Sequence, residues 1–253
     1  LVGSEMCIRD RLWINGQKAV RARDVADFEK MYRIINNDPQ NEILWVPAAA
    51  VKKIQKARYA EMVLHEMWCV ANLRIKSVEI QGDSAAVRFH NPESRIQFEH
   101  PWPRPMVTKD GHNSAFYLTN AMELLDEPGE WYHDIESRKI YYYPRKGEKI
   151  SKAVVPGIET LVWVEGTIDR PVKHIRFDNV TFQYTTWMRP SLQGHVPLQA
   201  GMYMTDGYKI RPSMIRKNNH KLDNQGWLGR PASAVVVKAA QDIDFEKCRF
   251  QHL

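Results

Sequence analysis

The chain of 253 residues has few cysteines and no long apolar run. Three cysteines, Cys7, Cys69 and Cys248, leave the redox compartment undecided. Cys248 stands in an alternating strand pattern, so we interpret it as a small core side chain and expect no bond between it and Cys69. No apolar stretch approaches the ~20 residues that a helix needs to cross a bilayer. The sequence therefore predicts no membrane span.

Concentrated charge and cofactor motifs are also missing. The 36 basic and 30 acidic residues give a net charge of +6, which is spread along the chain without a basic block, so nucleic-acid binding is not predicted. Neither HExxH nor CxxC occurs, and His195, His220 and Asp223 lack a zinc-like spacing. A glycine-rich phosphate loop is absent too. We predict no metal and no cofactor.

A hydrophobic fraction of 43% is typical of a globular protein, and its most informative feature is a repeat. In residues 175–184 and 243–252, apolar and polar side chains alternate, a two-residue corner shifts the phase, and alternation resumes. This pattern predicts a strand, a tight turn and a second strand that face one core, as in a coil of a parallel β-helix. The alignment places five pairs in register: Ile175 on Ile243, Phe177 on Phe245, Val180 on Cys248, Phe182 on Phe250, and Gln183 on Gln251.

The pattern divides the chain near residue 155. Residues 12–155 show no coil repeat and carry short, aromatic, proline-bounded strands, which predict a compact, mostly antiparallel β domain. Residues 156–253 predict about two coils of a parallel β-helix, so the predicted fold class is all-β. A loop at 187–231, rich in Trp, His, Tyr, Asn and Gln, interrupts the coils. Long ordered loops are often functional, so we expect this one to cover a face of the coils and to carry the site.

Both ends predict a fragment. Residues 1–11 resemble translated adapter sequence that recurs at the ends of metagenomic gene fragments, and we exclude them from the fold. Leu253 directly follows a predicted strand, without the polar cap that solenoids need. We expect the chain on its own to be inactive.

Two motifs carry a resemblance to a known family. Residues 129–134 read GEWYHD and residues 139–144 read KIYYYP, and both resemble the hairpin of an inserted β-sandwich-like domain in right-handed parallel β-helix glycoside hydrolases. The chain is most similar to glycoside hydrolase family 141, described as α-L-fucosidases and xylanases. The resemblance implies a polysaccharide or oligosaccharide substrate, an extracytoplasmic location, and catalytic carboxylates on coils beyond residue 253.

Glycoside hydrolysis needs two carboxyl groups, one of which stays protonated near neutral pH. Within the loop, Asp206 and Asp223 are weak catalytic candidates, and a loop-stabilising or sugar-binding role suits both better than a catalytic one. Aromatic rings that stack on sugars and polar groups that bind hydroxyls are the substrate-binding candidates. They are Trp187, His195, Gln199, Tyr203, His220, Trp227, and the pair His65 and Glu66. The aromatic residues equally suit a role in pinning the loop, whereas a solvated hairpin tip suits His65 and Glu66 better than a binding role.

Three functions remain open. The leading hypothesis is a glycoside hydrolase that acts on a cell-wall polysaccharide through paired carboxylates. A polysaccharide lyase on the same solenoid would abstract a proton next to a uronate carboxylate, and a non-catalytic β-helix would bind glycans along an aromatic groove. Fold alone does not separate them.

Overall fold

The computed structural model describes residues 10–100, 103–207, 209–210, 222–223 and 227–253. Strands dominate the described residues, which confirms the all-β class. The strands of the first half are Trp13–Ile14 (β1), Gln17–Lys18 (β2), Val20–Arg21 (β3), Tyr32–Arg33 (β4), Asn36–Asp38 (β5), Ile43–Pro47 (β6), Glu61–His65 (β7), Val70–Gln81 (β8), Ser84–Phe89 (β9) and Ala115–Thr119 (β10). The strands that follow are Glu130–Asp134 (β11), Lys139–Tyr142 (β12), Ala153–Val154 (β13), Val162–Glu165 (β14), Val172–Asp178 (β15), Thr181–Gln183 (β16), Tyr203–Met204 (β17), Lys209–Ile210 (β18), Leu222–Asp223 (β19), Leu228–Gly229 (β20), Val235–Lys238 (β21), Ala240–Glu246 (β22) and Arg249–Gln251 (β23).

Helices are short in the described part of the chain. The α-helices are Ala48–Val51 (α1), Glu93–Glu99 (α2) and Arg189–Gln193 (α3), and single 3-10 turns occur at Phe28–Lys30, Lys52–Ile54 and Met122–Leu124. None of the helices among these described residues is long and apolar enough to cross a membrane.

The chain forms two compact units. One comprises the described residues within 1–19, 149–188 and 232–253, and the other those within 20–148 and 189–231. The predicted limit at residue 155 divides the chain differently, since β1 pairs with β13 and the loop from residue 189 onward belongs with the antiparallel strands. The limits of the inserted domain therefore stay a prediction.

The unit of residues 20–148 and 189–231 is built around an antiparallel sheet of seven strands, in the order β4-β10-β7-β8-β9-β6-β5. β8 lies at the centre of this sheet, between β7 and β9. Its side chains alternate between the two faces, so Ala71, Leu73 and Ile75 are buried while the side chains between them face the other side. A second sheet, β12-β11-β3, contains the hairpin predicted from the GEWY and YYYP motifs. The largest side chains buried in this core are Phe116, Ile34, Leu44, Ile54, Met62, Leu64, Leu73, Ile96, Leu118 and Leu124.

The other unit contains the repeat. β14 pairs with β21, β15 with β22, and β16 with β23, and all three pairs are parallel. The register matches the sequence alignment wherever an aligned position lies in a strand: Ile175 on Ile243, Phe177 on Phe245, Phe182 on Phe250, and Gln183 on Gln251. The in-register pairing of the two copies is thereby confirmed.

Equivalent positions of the two copies share side-chain contacts and backbone conformation. The rings of Phe177 and Phe245 stack with centroids 4.8 Å apart, and the Gln251 Nε2 donates to Gln183 Oε1 at 2.8 Å. The corner that shifts the phase of the alternation results from the backbone conformation of one residue in each copy. Asn179 and Lys247 both adopt positive φ, at 58° and 50°. A left-handed residue turns the chain sharply and restarts the alternation.

Candidate functional site

The loop that follows α3 joins the antiparallel sheet through its backbone. His195 donates to the Asn72 carbonyl at 2.7 Å, and Asn72 donates to the His195 carbonyl at 2.9 Å. Asn72 lies in the first half of β8, where the strand pairs with β7 on one side only. His195 therefore satisfies the backbone groups of an otherwise open strand edge, as buried backbone requires. We expected this loop to cover the coils, and its described residues from 189 onward belong instead to the unit of this sheet.

Three side chains of this segment meet at one place. The His195 and Tyr203 rings form an edge contact with centroids 5.7 Å apart, and the Arg189 guanidinium lies 3.9 Å from the centre of the Tyr203 ring. Burial, helped by the positive charge of Arg189, lowers the pKa of His195 to about 4. His195 is therefore a neutral hydrogen-bonding group at pH 7 rather than a cation.

Tyr203 is closely packed. A Cβ at Gly229 would lie 2.3 Å from two atoms of the Tyr203 ring, so only glycine fits at that position of β20. With the guanidinium of Arg189 against the same ring, these contacts favour the pinning role for Tyr203 over stacking on a sugar. Its sugar-binding role stays a prediction.

Asp206 anchors the segment to α2. Its Oδ1 accepts from Arg95 Nη2 and, at 2.8 Å, from the Gly207 amide, while Arg95 also pairs with Glu99 at 2.8 Å. The hydrogen bond to Asp206 and the negative charges of Glu99 and Asp206 raise the pKa of the Arg95 guanidinium. A carboxylate held in this way suits the loop-stabilising role.

The remaining candidates of the loop are scattered. Trp187 belongs to the coil unit, where its amide donates to Asp10 at 3.0 Å. Gln199 is exposed and forms a turn in which its carbonyl accepts from Met202 at 3.1 Å. Trp227 is 37% exposed, and its carbonyl accepts from Thr205 at 2.7 Å. The backbone of Asp223 pairs with Lys209, and His220 lies outside the described residues.

Glu66 is the most unusual carboxyl of the described chain. It lies between β7 and β8 and is only 9% exposed, whereas its neighbours Met67 and Trp68 are 48% and 50% exposed. Gln97 Nε2 contacts Oε1 at 2.5 Å, and the Cys69 thiol donates to Oε2 at 3.5 Å. Burial raises the pKa of Glu66 to about 8. The solvated tip that one interpretation predicted therefore applies to Met67 and Trp68 and not to Glu66.

His65 lies on the sheet face away from the main core. Its ring contacts Phe28 at 5.3 Å and Tyr117 at 6.4 Å, and Arg33 lies 4.6 Å from the centre of the Phe28 ring. Burial and the charge of Arg33 lower the pKa of His65. This aromatic patch, with Phe28 45% exposed, could stack on a sugar, so the predicted binding role of His65 keeps a physical basis.

The sequence did not predict α2. This helix carries Gln97, which contacts Glu66, and Arg95, which pairs with Asp206. A proline before the helix and the i,i+4 spacing of Arg95 and Glu99 were the available signals. Sequence reasoning also missed Trp163, which lies between the inward side chains of β14 and is 61% exposed. Strict alternation in that strand would have placed it outward.

Within the described ranges, no three His, Cys, Asp or Glu side chains converge on a point that could hold a metal ion. Cys69 and Cys248 are both free thiols, in agreement with the expectation that they form no bond.

Comparison with known proteins identifies the family. The sequence model of the family described as "GH141 insertion domain" matches residues 2–145. A solved structure titled "Glycoside hydrolase" is 69% identical and superposes with a TM-score of 0.90, and the match covers 98% of this chain and 43% of that chain. This chain therefore spans less than half the length of that glycoside hydrolase, and no curated protein matches it. Because the family model covers more than half of the sequence, the chain belongs to the GH141 insertion domain family and is related to glycoside hydrolases.

Proposed function

We propose that this chain is the insertion domain and the adjoining coils of a carbohydrate-active glycoside hydrolase that cleaves a cell-wall polysaccharide. One observation carries the proposal, namely the 69% identity to a solved glycoside hydrolase over 98% of this chain. The family match over residues 2–145 supports it independently. Since the solved chain is more than twice as long, the activity belongs in the proposal to the longer protein.

The coils form, in this proposal, part of a right-handed parallel β-helix. Three in-register parallel strand pairs support it, together with the stacked rings of Phe177 and Phe245 and the paired amides of Gln183 and Gln251. Stacked identical side chains are what a solenoid produces when successive coils repeat one cross-section. Such coils offer a long, rigid surface along which a polysaccharide can lie.

The chemistry of the proposal is acid-assisted cleavage by two carboxyl groups. Glu66 has the protonation state of a general acid at pH 7, but its two oxygens are buried against Gln97 and Cys69. Asp206 is held by Arg95. Both carboxyl groups therefore receive structural roles, and the proposal gives the catalytic pair to the part of the longer protein that this chain does not include.

The test is an assay of the full-length protein that contains this chain. Release of fucose or xylose from fucosylated or xylose-containing cell-wall polysaccharides would support the proposal. A folded, full-length protein that releases no sugar from a panel of such glycans would count against it. An unsaturated product that absorbs ultraviolet light would replace hydrolysis with elimination, and binding without any product would leave a non-catalytic glycan-binding protein.

A further inference from the structure

A polar cavity of about 250 Å³ lies on the antiparallel unit, and none of the predicted site residues lines it. Its lining residues are mainly amides and charged groups: Gln40, Asn41, Glu42, Lys76, Arg88, Phe89, Asn91 and Ser94. With about 30 Å³ per water molecule, this space holds about eight waters. It is smaller than the about 300–1,000 Å³ of a drug-sized ligand site, so it suits a single small polar ring.

One wall of the cavity is a fixed turn between β5 and β6. Both Asp38 oxygens bind Asn41, one through its amide at 3.2 Å and the other through its side-chain Nδ2 at 2.8 Å. Glu42 follows with a φ of +53°, a backbone conformation that residues with a side chain rarely adopt. Its Oε2 accepts from the Ser94 hydroxyl at 2.5 Å, and Ser94 is 2% exposed. The carboxylate of Glu42 is therefore held in one orientation at the cavity.

A second part of the lining contains a β-bulge. The register between β8 and β9 shifts between Ile75 and Ser77, so Lys76 is the extra residue of β8. Ser77 is the partner of Arg88 in β9. An extra residue re-aims the side chains beside it, and this bulge brings Lys76 and Arg88 to one cavity.

The charge of the cavity is net positive. Among the described residues, neither Lys76 nor Arg88 has a carboxylate within 4.0 Å. The pKa of Asp38 is lowered mainly by its hydrogen bonds with Asn41 and to a smaller extent by the charge of Arg88. Arg88 Nη1 donates to the Asn41 carbonyl at 2.7 Å, which fixes its guanidinium at the rim. Glu42 is the one carboxylate among the lining residues. Lys76 and Arg88 supply two positive charges and Glu42 one negative charge, and amide side chains line the cavity beside them. Such a surface complements a ligand that has both an acidic group and hydroxyls.

We propose that this cavity binds an acidic sugar unit, a hexuronate of the polysaccharide that the longer protein cleaves. The carboxylate of the sugar pairs with Arg88 and Lys76, since guanidinium and ammonium groups form the strongest hydrogen bonds to carboxylates. The ring hydroxyls donate to Glu42 and exchange hydrogen bonds with Gln40, Asn41 and Asn91. The substrate class depends on the proposed function, whereas the presence of the binding site does not.

The experiment is isothermal titration calorimetry of the 253-residue chain with trigalacturonate and, separately, with neutral galactotriose. The chain is expected to bind trigalacturonate and to bind the neutral trisaccharide about tenfold or more weakly, which is the worth of one charge-assisted hydrogen bond. A higher salt concentration is expected to weaken the binding of trigalacturonate and to leave the binding of the neutral trisaccharide unchanged.

Variants locate the site. Lys76→Gln and Arg88→Gln are each expected to weaken trigalacturonate binding about tenfold, and Arg88→Lys, which keeps the charge, to retain part of it. Lys76 is exposed, so its replacement leaves the fold intact, as a melting curve would verify. Lys109→Gln, an exposed lysine outside the cavity, is the matched control and is expected to leave binding unchanged.

Two results would overturn the inference: equal binding of the acidic and neutral sugars with no effect of Lys76→Gln, or no binding of trigalacturonate by the folded chain. Either can occur while the full-length protein still releases sugar, so the proposed function would survive. Conversely, trigalacturonate binding by a full-length protein without hydrolytic activity would overturn the proposed function and leave this site in place.

Discussion

Gln97 of α2 places its side-chain amide 2.5 Å from the carboxyl group of Glu66, and both side chains are buried. This contact joins the helix that sequence reasoning missed to the turn between β7 and β8. The hydrogen bonds from Gln97 and Cys69 lower the pKa of the Glu66 carboxyl, but burial outweighs them and raises it to about 8. The carboxyl group of Glu66 is therefore neutral at pH 7, and it loses its proton when the pH rises above about 8.

Replacing Glu66 by Gln is expected to flatten the pH dependence of stability. Between pH 4.5, the ordinary value, and about 8, the unfolded chain releases this proton while the folded chain keeps it. The free energy of unfolding therefore falls as pH rises through this window, by up to about 1.4 kcal/mol per pH unit. Glu66→Gln removes that slope, which urea unfolding at several pH values measures. Glu123→Gln, at an exposed carboxyl, is the control, and an unchanged slope in Glu66→Gln would refute the burial of a protonated acid.

His195 is expected to act in the opposite direction. Its pKa in the folded protein is about 4, against an ordinary value of 6.5, so the unfolded chain takes up a proton first as pH falls. Its contribution to stability is present above pH 6.5 and is lost as pH falls through about 4. His195→Asn keeps the backbone bridge to Asn72 and removes this acid sensitivity. Acid unfolding followed by circular dichroism tests it, and an identical acid limb in wild type and variant would contradict the prediction.

Gly194→Ala is expected to destabilise the protein more than Gly201→Ala, which is the matched control. Both have positive φ, +68° and +70°, so alanine costs about 1–2 kcal/mol of conformational energy at either position. A Cβ at Gly194 would also lie 2.4 Å from Glu93 Cβ, whereas at Gly201 it would meet no atom within 4 Å among the described residues. Glu93 is 1% exposed and accepts from Arg74 at 2.6 Å, so it cannot move cheaply. Thermal unfolding should show a larger loss for Gly194→Ala, and equal losses would mean that the close packing has no energetic effect.

Asp206→Asn is expected to loosen the loop without a large loss of global stability. The pair with Arg95 is partly exposed, and such pairs contribute about 0–1 kcal/mol. Its effect should therefore appear as faster protease cleavage within residues 189–207, located by mass spectrometry. Glu136→Gln, which removes the more exposed pair with Arg58, is the control. Equal cleavage rates in wild type, variant and control would show that Asp206 does not anchor the segment.

Local patterns predicted the fold well wherever one strand face is buried. The register of Phe177 on Phe245 followed from alternation, because a slip by one residue would turn every apolar side chain outward. Local turn chemistry likewise explains the hairpin of β1 and β2, since Asn15 and Gly16 both adopt positive φ. Both features depend on residues that are close together in the sequence, so a local sequence pattern indicates them.

The candidate site was harder to predict because its contacts join distant segments. The backbone bridge between Asn72 and His195 spans more than a hundred residues, and the burial of Glu66 depends on Gln97 of another element. Periodicity says which face of a strand is apolar, but not which loop closes its edge. The sequence therefore left both a binding and a pinning role open for Tyr203, and its contacts with Arg189 and Gly229 favour the pinning role.

Trp163 is expected to bind glycan on the coil surface if the proposed function is correct. Its indole is 61% exposed, and its Nε1 donates to Glu165 Oε2 at 2.6 Å, while Lys238 binds the other oxygen of Glu165 at 2.6 Å. An exposed ring held in one orientation loses little entropy when a sugar face stacks on it. Trp163→Ala should weaken polysaccharide binding several-fold, by about 0.5–1.5 kcal/mol, and affinity electrophoresis in gels that contain xylan measures this. Ile168→Ala, at a side chain that is 94% exposed, is the control for general surface effects. Retardation that is the same for Trp163→Ala, the control and the wild type would remove Trp163 from the binding surface.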